Sequence, residues 1–123
     1  MSGGVTSVDF DVFADAWSAI ENAAHTNAVN KGFHDRDTDS IEGDAMRVAL
    51  MHSELSEALE ALREHNPPSV KSPGFSCLEE ELGDVVIRIM DFAGLRGLDI
   101  PGAIRAKMEF NARREAMHGG KAF

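Results

Sequence analysis

The stretch "SCLEEELGDVVIRIMDFAGLRG", residues 76–97, decides the fold. Ser76 followed by Glu79 predicts a helix start, because a serine hydroxyl can cap the first amides while a glutamate three residues on returns the bond. Projected at about 100° per residue, Leu78, Leu82, Val85, Ile89, Phe92 and Ala93 share one face, and Gly94 and Gly97 mark the end. Glu79 and Glu80 suit the first turn, where the helix dipole favours acids. Glu81 and Asp84 are different. With Arg88 they border the apolar face.

Working outward, the same periodicity predicts three more helices and no alternating strand. The first covers residues 8–30, with Phe10, Phe13, Trp17, Ile20 and Ala24 at helical spacing and Trp17 and the phenylalanines read as core. It ends in the polar loop "NAVNKGFHDRDTD". A second starts at Asp39, with Glu42 completing a capping box, and runs to His65. The segment "NPPSVKSPGF" then breaks the helix, since its prolines lack the amide a helix needs. The fourth starts near Asp99, takes Pro101 in its first turn and ends at Gly119-Gly120. The expectation is an all-α, four-helix bundle-like protomer spanning residues 1–123 as a single domain, with 1–7 and 119–123 flexible. A bundle this small completes its core by oligomerisation.

Composition narrows the function classes. Of the 123 residues 43% are hydrophobic, which suits a globular chain. No apolar run approaches the ~20 residues of a membrane span, and residues 1–13 lack a signal pattern. Cys77 is the single cysteine, so no internal disulfide forms, and a cytoplasmic location is expected. A net charge of −9 repels long nucleic acids, whose binding depends on phosphate neutralisation by Lys and Arg. A small phosphorylated ligand is compatible with that charge when a metal ion mediates.

The second helix carries its own acidic pair. Val48, Met51, Leu55, Leu59 and Leu62 form its main apolar stripe, and His52, Ser56, Glu60 and Arg63 its solvent face. Glu54 and Glu57 lie on neither, sharing a strip with Leu50 and Ala61. ExxE arises readily by chance in a chain with 21 acidic residues, and solvated helix surface is the plain reading of each pair alone. Two pairs on adjacent helices, both off the solvent face, point instead to convergence. Carboxylates about 4 Å apart repel by roughly 4 kcal/mol at an effective dielectric of 20, so four together call for protons or cations. All-oxygen ligands suit Mg²⁺ or Mn²⁺.

"MHSELSEALEALRE" followed by "LEEELGDVVIRIMDFAG" resembles the MazG-like all-α nucleoside triphosphate pyrophosphohydrolases, whose signature is an ExxE helix, a loop and an ExxD helix. The matching residues are Glu54, Glu57, Glu81 and Asp84. "KMEFNARREAMHGGK" looks like that family's Lys-x3-Asn-x2-Arg tail before His-Gly-Gly-Lys, and "NAVNKGFHD" is similar to the stretch after its first helix. The resemblance covers nearly the whole chain beyond about residue 10. It departs at Arg114–Met117, where the family often has Arg-Pro-Tyr-Arg, and at His34, where it often has tryptophan; both positions bear on base recognition.

The resemblance implies Mg²⁺-dependent hydrolysis of a nucleoside triphosphate to the monophosphate and pyrophosphate, in a homodimer or homotetramer. It implies metal-binding and catalytic roles for Glu54, Glu57, Glu81 and Asp84. Lys107, Asn111, Arg114 and Lys121 would face the phosphates, and Asn27, Lys31 and Phe33 the base or sugar. Lys107, Asn111 and Arg114 share one helical stripe, which taken without the resemblance reads rather as a solvated basic face near a helix C-terminus, and with it as a phosphate contact. The competing function is a non-catalytic helical dimerisation or regulatory module that binds nucleotide or metal. His25, His52 and His65 show no partner pattern and are expected at the surface, and Cys77 is read as structural.

Overall fold

A computed structural model describes residues 8–114. Four helices follow one another: α1 (Phe10–Asn30), α2 (Ile41–Arg63), α3 (Cys77–Arg96) and α4 (Ile100–Arg113). No strand occurs among the described residues; one isolated antiparallel bridge joins Pro68 to Ser76. The fold is all-α and bundle-like, as the periodicity requires.

The helix starts follow local chemistry. At α3 the expected capping box is complete: Ser76 Oγ accepts from Glu79 N at 3.1 Å, and Ser76 N donates to Glu79 Oε1 at 3.0 Å. Gly97 closes the helix with φ 68°, a left-handed conformation that a residue without Cβ adopts freely. At α4, Asp99 Oδ1 accepts from Gly102 N at 3.0 Å. The expected cap of α2 is off by one residue. Asp39 sits at φ 45°, and the capping atom is Ser40 Oγ, which accepts from Gly43 N at 3.0 Å. A cap needs extended backbone, which Ser40 supplies at φ −135°, ψ 164°. Helix α4 stops at Arg113, short of Gly119-Gly120, and Arg114 is already extended at ψ 153°. Lys121, the glycine pair and the two ends expected to be flexible, 1–7 and 119–123, lie outside the described residues.

The chain divides into two compact units. One comprises the described residues up to Ala19 and from Leu98 onward; the other is Ile20–Gly97. In the first, Phe10, Phe13 and Trp17 meet edge to face at 6.3 and 6.0 Å, and the Arg105 guanidinium lies 5.3 Å from the Phe10 ring centre. These aromatic residues are half-buried.

In the second unit α2 packs on α3, and the buried apolar residues are small: Ala28, Ala58, Ala61 and Ala93, with Met90. The α2 surface that closes on the core is therefore the strip of Ala58 and Ala61. The leucine stripe expected to be core is turned outward instead, with Val48, Leu55, Leu59 and Leu62 between 44% and 52% exposed. Alanines let two helices approach closely, and that choice brings the adjoining glutamate strip toward α3. The turn between these helices is set by His65 and Asn66, both left-handed. Asn66 N donates to Ala61 O at 2.7 Å, and its Oδ1 accepts from Leu78 N at 2.9 Å, so the backbone of one residue ends α2 while its side chain seats α3.

An ionic clasp ties the loop after α1 to both helices. Arg96 forks onto Asp37, Nη1 to Oδ2 at 2.6 Å and Nη2 to Oδ1 at 2.7 Å, while its Nε donates to Asp44 at 2.7 Å. Arg47 adds a longer contact to Asp37 at 3.4 Å. Arg96 lies in the last turn of α3 and Asp44 in the first turn of α2, so each charge also interacts favourably with its own helix dipole.

Candidate metal centre

Close packing of α2 on α3 brings together three of the four expected carboxylates. Oxygens of Glu54, Glu81 and Asp84 all lie within 4.8 Å of one another, and all three side chains are half-buried. The ExxD spacing places Glu81 and Asp84 one turn apart on α3, and Glu54 faces them from α2. Glu57 is exposed and stands outside this trio, one turn along α2. Arg88, one turn beyond Asp84, donates from Nε to Glu54 Oε1 at 2.9 Å. It orients Glu54 and partly neutralises the cluster.

The electrostatics show the strain of this convergence. Burial raises the pKa of Glu81 first, followed by the charges of Glu80, Glu54 and Asp84. Burial likewise raises Asp84, with Glu54 and Glu80 adding to it and Arg88 and Lys71 opposing. A carboxylate held above its ordinary value keeps a proton in the folded state that the unfolded chain has already released. Stability conferred by that proton is lost as pH rises. Without divalent metal, the melting temperature should therefore decline from about pH 4 upward through the raised values of these two groups. Glu81→Gln should flatten the decline; an equally steep decline in that variant would contradict the assignment.

These groups fit Mg²⁺ or Mn²⁺. The donors are all carboxylate oxygens, their mutual repulsion is relieved by a cation, and cavities open on Asp84 from two sides. A cavity of about 250 Å³ is lined by Ser72, Phe75, Glu80, Gly83 and Asp84. Apart from its chain neighbours and the helix's own backbone, nothing lies within 4 Å of a Cβ built on Gly83, so the space beside Asp84 is open there. A second cavity, about 170 Å³, is lined by Asn27, Phe33, Asp84, Arg88 and Asp91. Two of the expected base or sugar contacts thus share a cavity with Asp84. Phe33 is 66% exposed there, and Lys31 is exposed on the adjoining loop.

The α4 residues belong to the other unit. Lys107, Asn111 and Arg114 are exposed; Lys107 Nζ lies 4.9 Å and the Arg114 guanidinium 5.9 Å from the Phe110 ring centre. Arg114 leaves the expected stripe because the helix ends before it. His52 and His65 are exposed as expected, but His25 is not: it is half-buried and bonded to Asp91. Sequence periodicity gave no sign of that bond, since its partners lie 66 residues apart. Cys77 Sγ reaches only Pro68 O, at 3.6 Å, beside the turn.

Comparison with protein-family models, with curated proteins and with solved structures returned no match to this chain.

Proposed function

We propose that the protein is a Mg²⁺-dependent nucleoside triphosphate pyrophosphohydrolase, taking an NTP or dNTP and water to the monophosphate and pyrophosphate. The observation that carries this reading is the convergence of Glu54, Glu81 and Asp84 beside two open cavities. Three half-buried acids with no metabolic role would be a costly way to build a helix interface. When bound, Mg²⁺ supplies charge neutralisation at the phosphate oxygens and polarises the phosphorus under attack.

The chain's own residues divide the remaining work. Glu54, Glu81 and Asp84 provide the ligand oxygens, and Arg88 holds Glu54 in place. Glu57, outside the trio, is the carboxylate left to accept the proton of the attacking water. The new bond forms between that water and the α-phosphorus as the bond to the bridging oxygen breaks and pyrophosphate leaves. Asn27 and Phe33 offer an amide and an aromatic face to the nucleoside in the cavity that includes Asp84. A second copy of the chain covers the exposed leucine stripe of α2, giving the homodimer or homotetramer that the resemblance implies.

Incubation with a panel of NTPs and dNTPs and Mg²⁺ tests the reading; release of monophosphate and pyrophosphate from at least one nucleotide is expected. Tight nucleotide binding with no product would instead favour the non-catalytic regulatory module. Glu57→Gln separates base from ligand: turnover should fall by at least about a hundredfold, within the span of general acid–base catalysis. In that variant Mg²⁺ should still raise the melting temperature, because the ligands remain. Loss of the Mg²⁺ effect would make Glu57 a ligand.

A further inference from the structure

A second cluster lies outside the carboxylate trio. His25 on α1, His34 in the following loop and Asp91 on α3 converge on one point. His25 Nδ1 lies 2.9 Å and His34 Nε2 2.7 Å from the same oxygen, Asp91 Oδ1, and the three atoms lie within 4.8 Å of one another. The two imidazole ring centres are 5.4 Å apart, tilted by 35°.

We propose that His25, His34 and Asp91 form a second metal site, selective for a borderline first-row ion such as Zn²⁺ over Mg²⁺. Two imidazole nitrogens and one carboxylate oxygen are the donors such ions prefer, whereas Mg²⁺ takes oxygen and water. The spacing suits them. With bonds of about 2.0–2.2 Å, neighbouring donors around one ion sit roughly 3 Å apart and shared imidazoles roughly 5 Å between centres. The observed separations need little adjustment to meet both.

His34 is the least exposed of the three. Its side chain is 7% exposed, and Nδ1 is buried with no hydrogen-bond partner among the described residues. With the proton on Nε2, Nδ1 is a stranded acceptor; with both protonated, it is a stranded donor. A metal at Nε2 takes the place of the proton shared with Asp91 and fixes the tautomer with the proton on Nδ1. Gly94, one turn after Asp91, gives His25 its place: a Cβ there would come within 3.0 Å of His25 Cβ and Cγ. The cavity of Asn27, Phe33 and Arg88 reaches Asp91, so water or a ligand can complete the coordination. Three protein ligands with an open position characterise reactive rather than purely structural zinc sites.

The site is independent of nucleotide hydrolysis and is tested without it. Equilibrium dialysis with Zn²⁺ is run on the parent chain, on Glu81→Gln/Asp84→Asn, which dismantles the carboxylate trio, and on His34→Gln. The double variant should keep one Zn²⁺, and His34→Gln should weaken its binding by at least about a hundredfold. X-ray absorption at the zinc edge of the double variant should show the outer-shell scattering of two imidazoles. Loss of zinc from the double variant, an all-oxygen shell, or unchanged binding in a folded His34→Gln would overturn the proposal. If His34→Gln does not fold, the absorption spectrum decides alone.

Discussion

Asp84→Asn should slow pyrophosphate release from a nucleoside triphosphate by roughly a thousandfold, the loss expected when about 4 kcal/mol of charge stabilisation is withdrawn from the transition state. The same variant, free of metal, should melt above the parent. Both expectations come from one arrangement. Asp84 is held above its ordinary pKa by burial and by Glu54 and Glu80, so its charge is a liability to the empty fold and an asset to a metal. An amide of the same shape removes the liability and the ligand together. Turnover within tenfold of the parent, or a lower metal-free melting temperature, would sink the assignment of Asp84. Circular-dichroism melts in chelator beside a coupled pyrophosphate assay supply both readouts.

The second large effect concerns stability. Arg96→Met should lower the melting temperature by several degrees, and Arg96→Lys should recover little of it. Lysine is a point charge, whereas Arg96 makes two bonds to Asp37 and a third to Asp44. Methionine leaves both acids facing a half-buried position without their cation. The pH dependence carries a definite sign. Arg96 holds Asp37 well below the usual carboxylate range, chiefly by its hydrogen bonds. A depressed acid contributes stability above its unfolded pKa and loses it on acidification. The gap between parent and Arg96→Met should accordingly narrow as pH falls below about 3.8, the ordinary value for aspartate. A gap that stays constant with pH would assign the role of Arg96 to packing rather than charge.

What the sequence revealed follows the range of the interactions. The start of α3 was legible because Ser76 and Glu79 satisfy each other within one turn, and Gly97 supplies its stop locally. The start of α2 was missed by one residue, since two oxygen-bearing side chains compete there and the backbone of Asp39 turns the wrong way for capping. Periodicity identified the strips of α2 but not which of them meets α3. It favoured the leucines, and the structure buries Ala58 and Ala61. That reversal moved the glutamates inward, so Glu54 reached the α3 acids for a reason that pattern alone does not contain. The ExxE and ExxD pairs were legible as candidates, yet helical spacing does not determine that Glu57 stays outside the trio. The histidine cluster was out of reach. Its contacts join residues 57 and 66 positions apart, and no spacing rule connects a loop histidine to an aspartate on a distant helix.

The small core has a consequence for how long the protein survives. Among the described residues no large side chain is completely buried, and four of the five apolar core residues are alanines. Such a core sheds little water on folding, so opening of the second unit is checked by few contacts beyond the Arg96 clasp and the α2–α3 seam. Whatever occupies the acidic trio or covers the leucines adds its binding free energy directly to the closed form. Proteases cut the open form, and where opening is fast their rate follows its population. The lifetime of this chain should then track its occupancy, with the empty, solitary protomer cleared first.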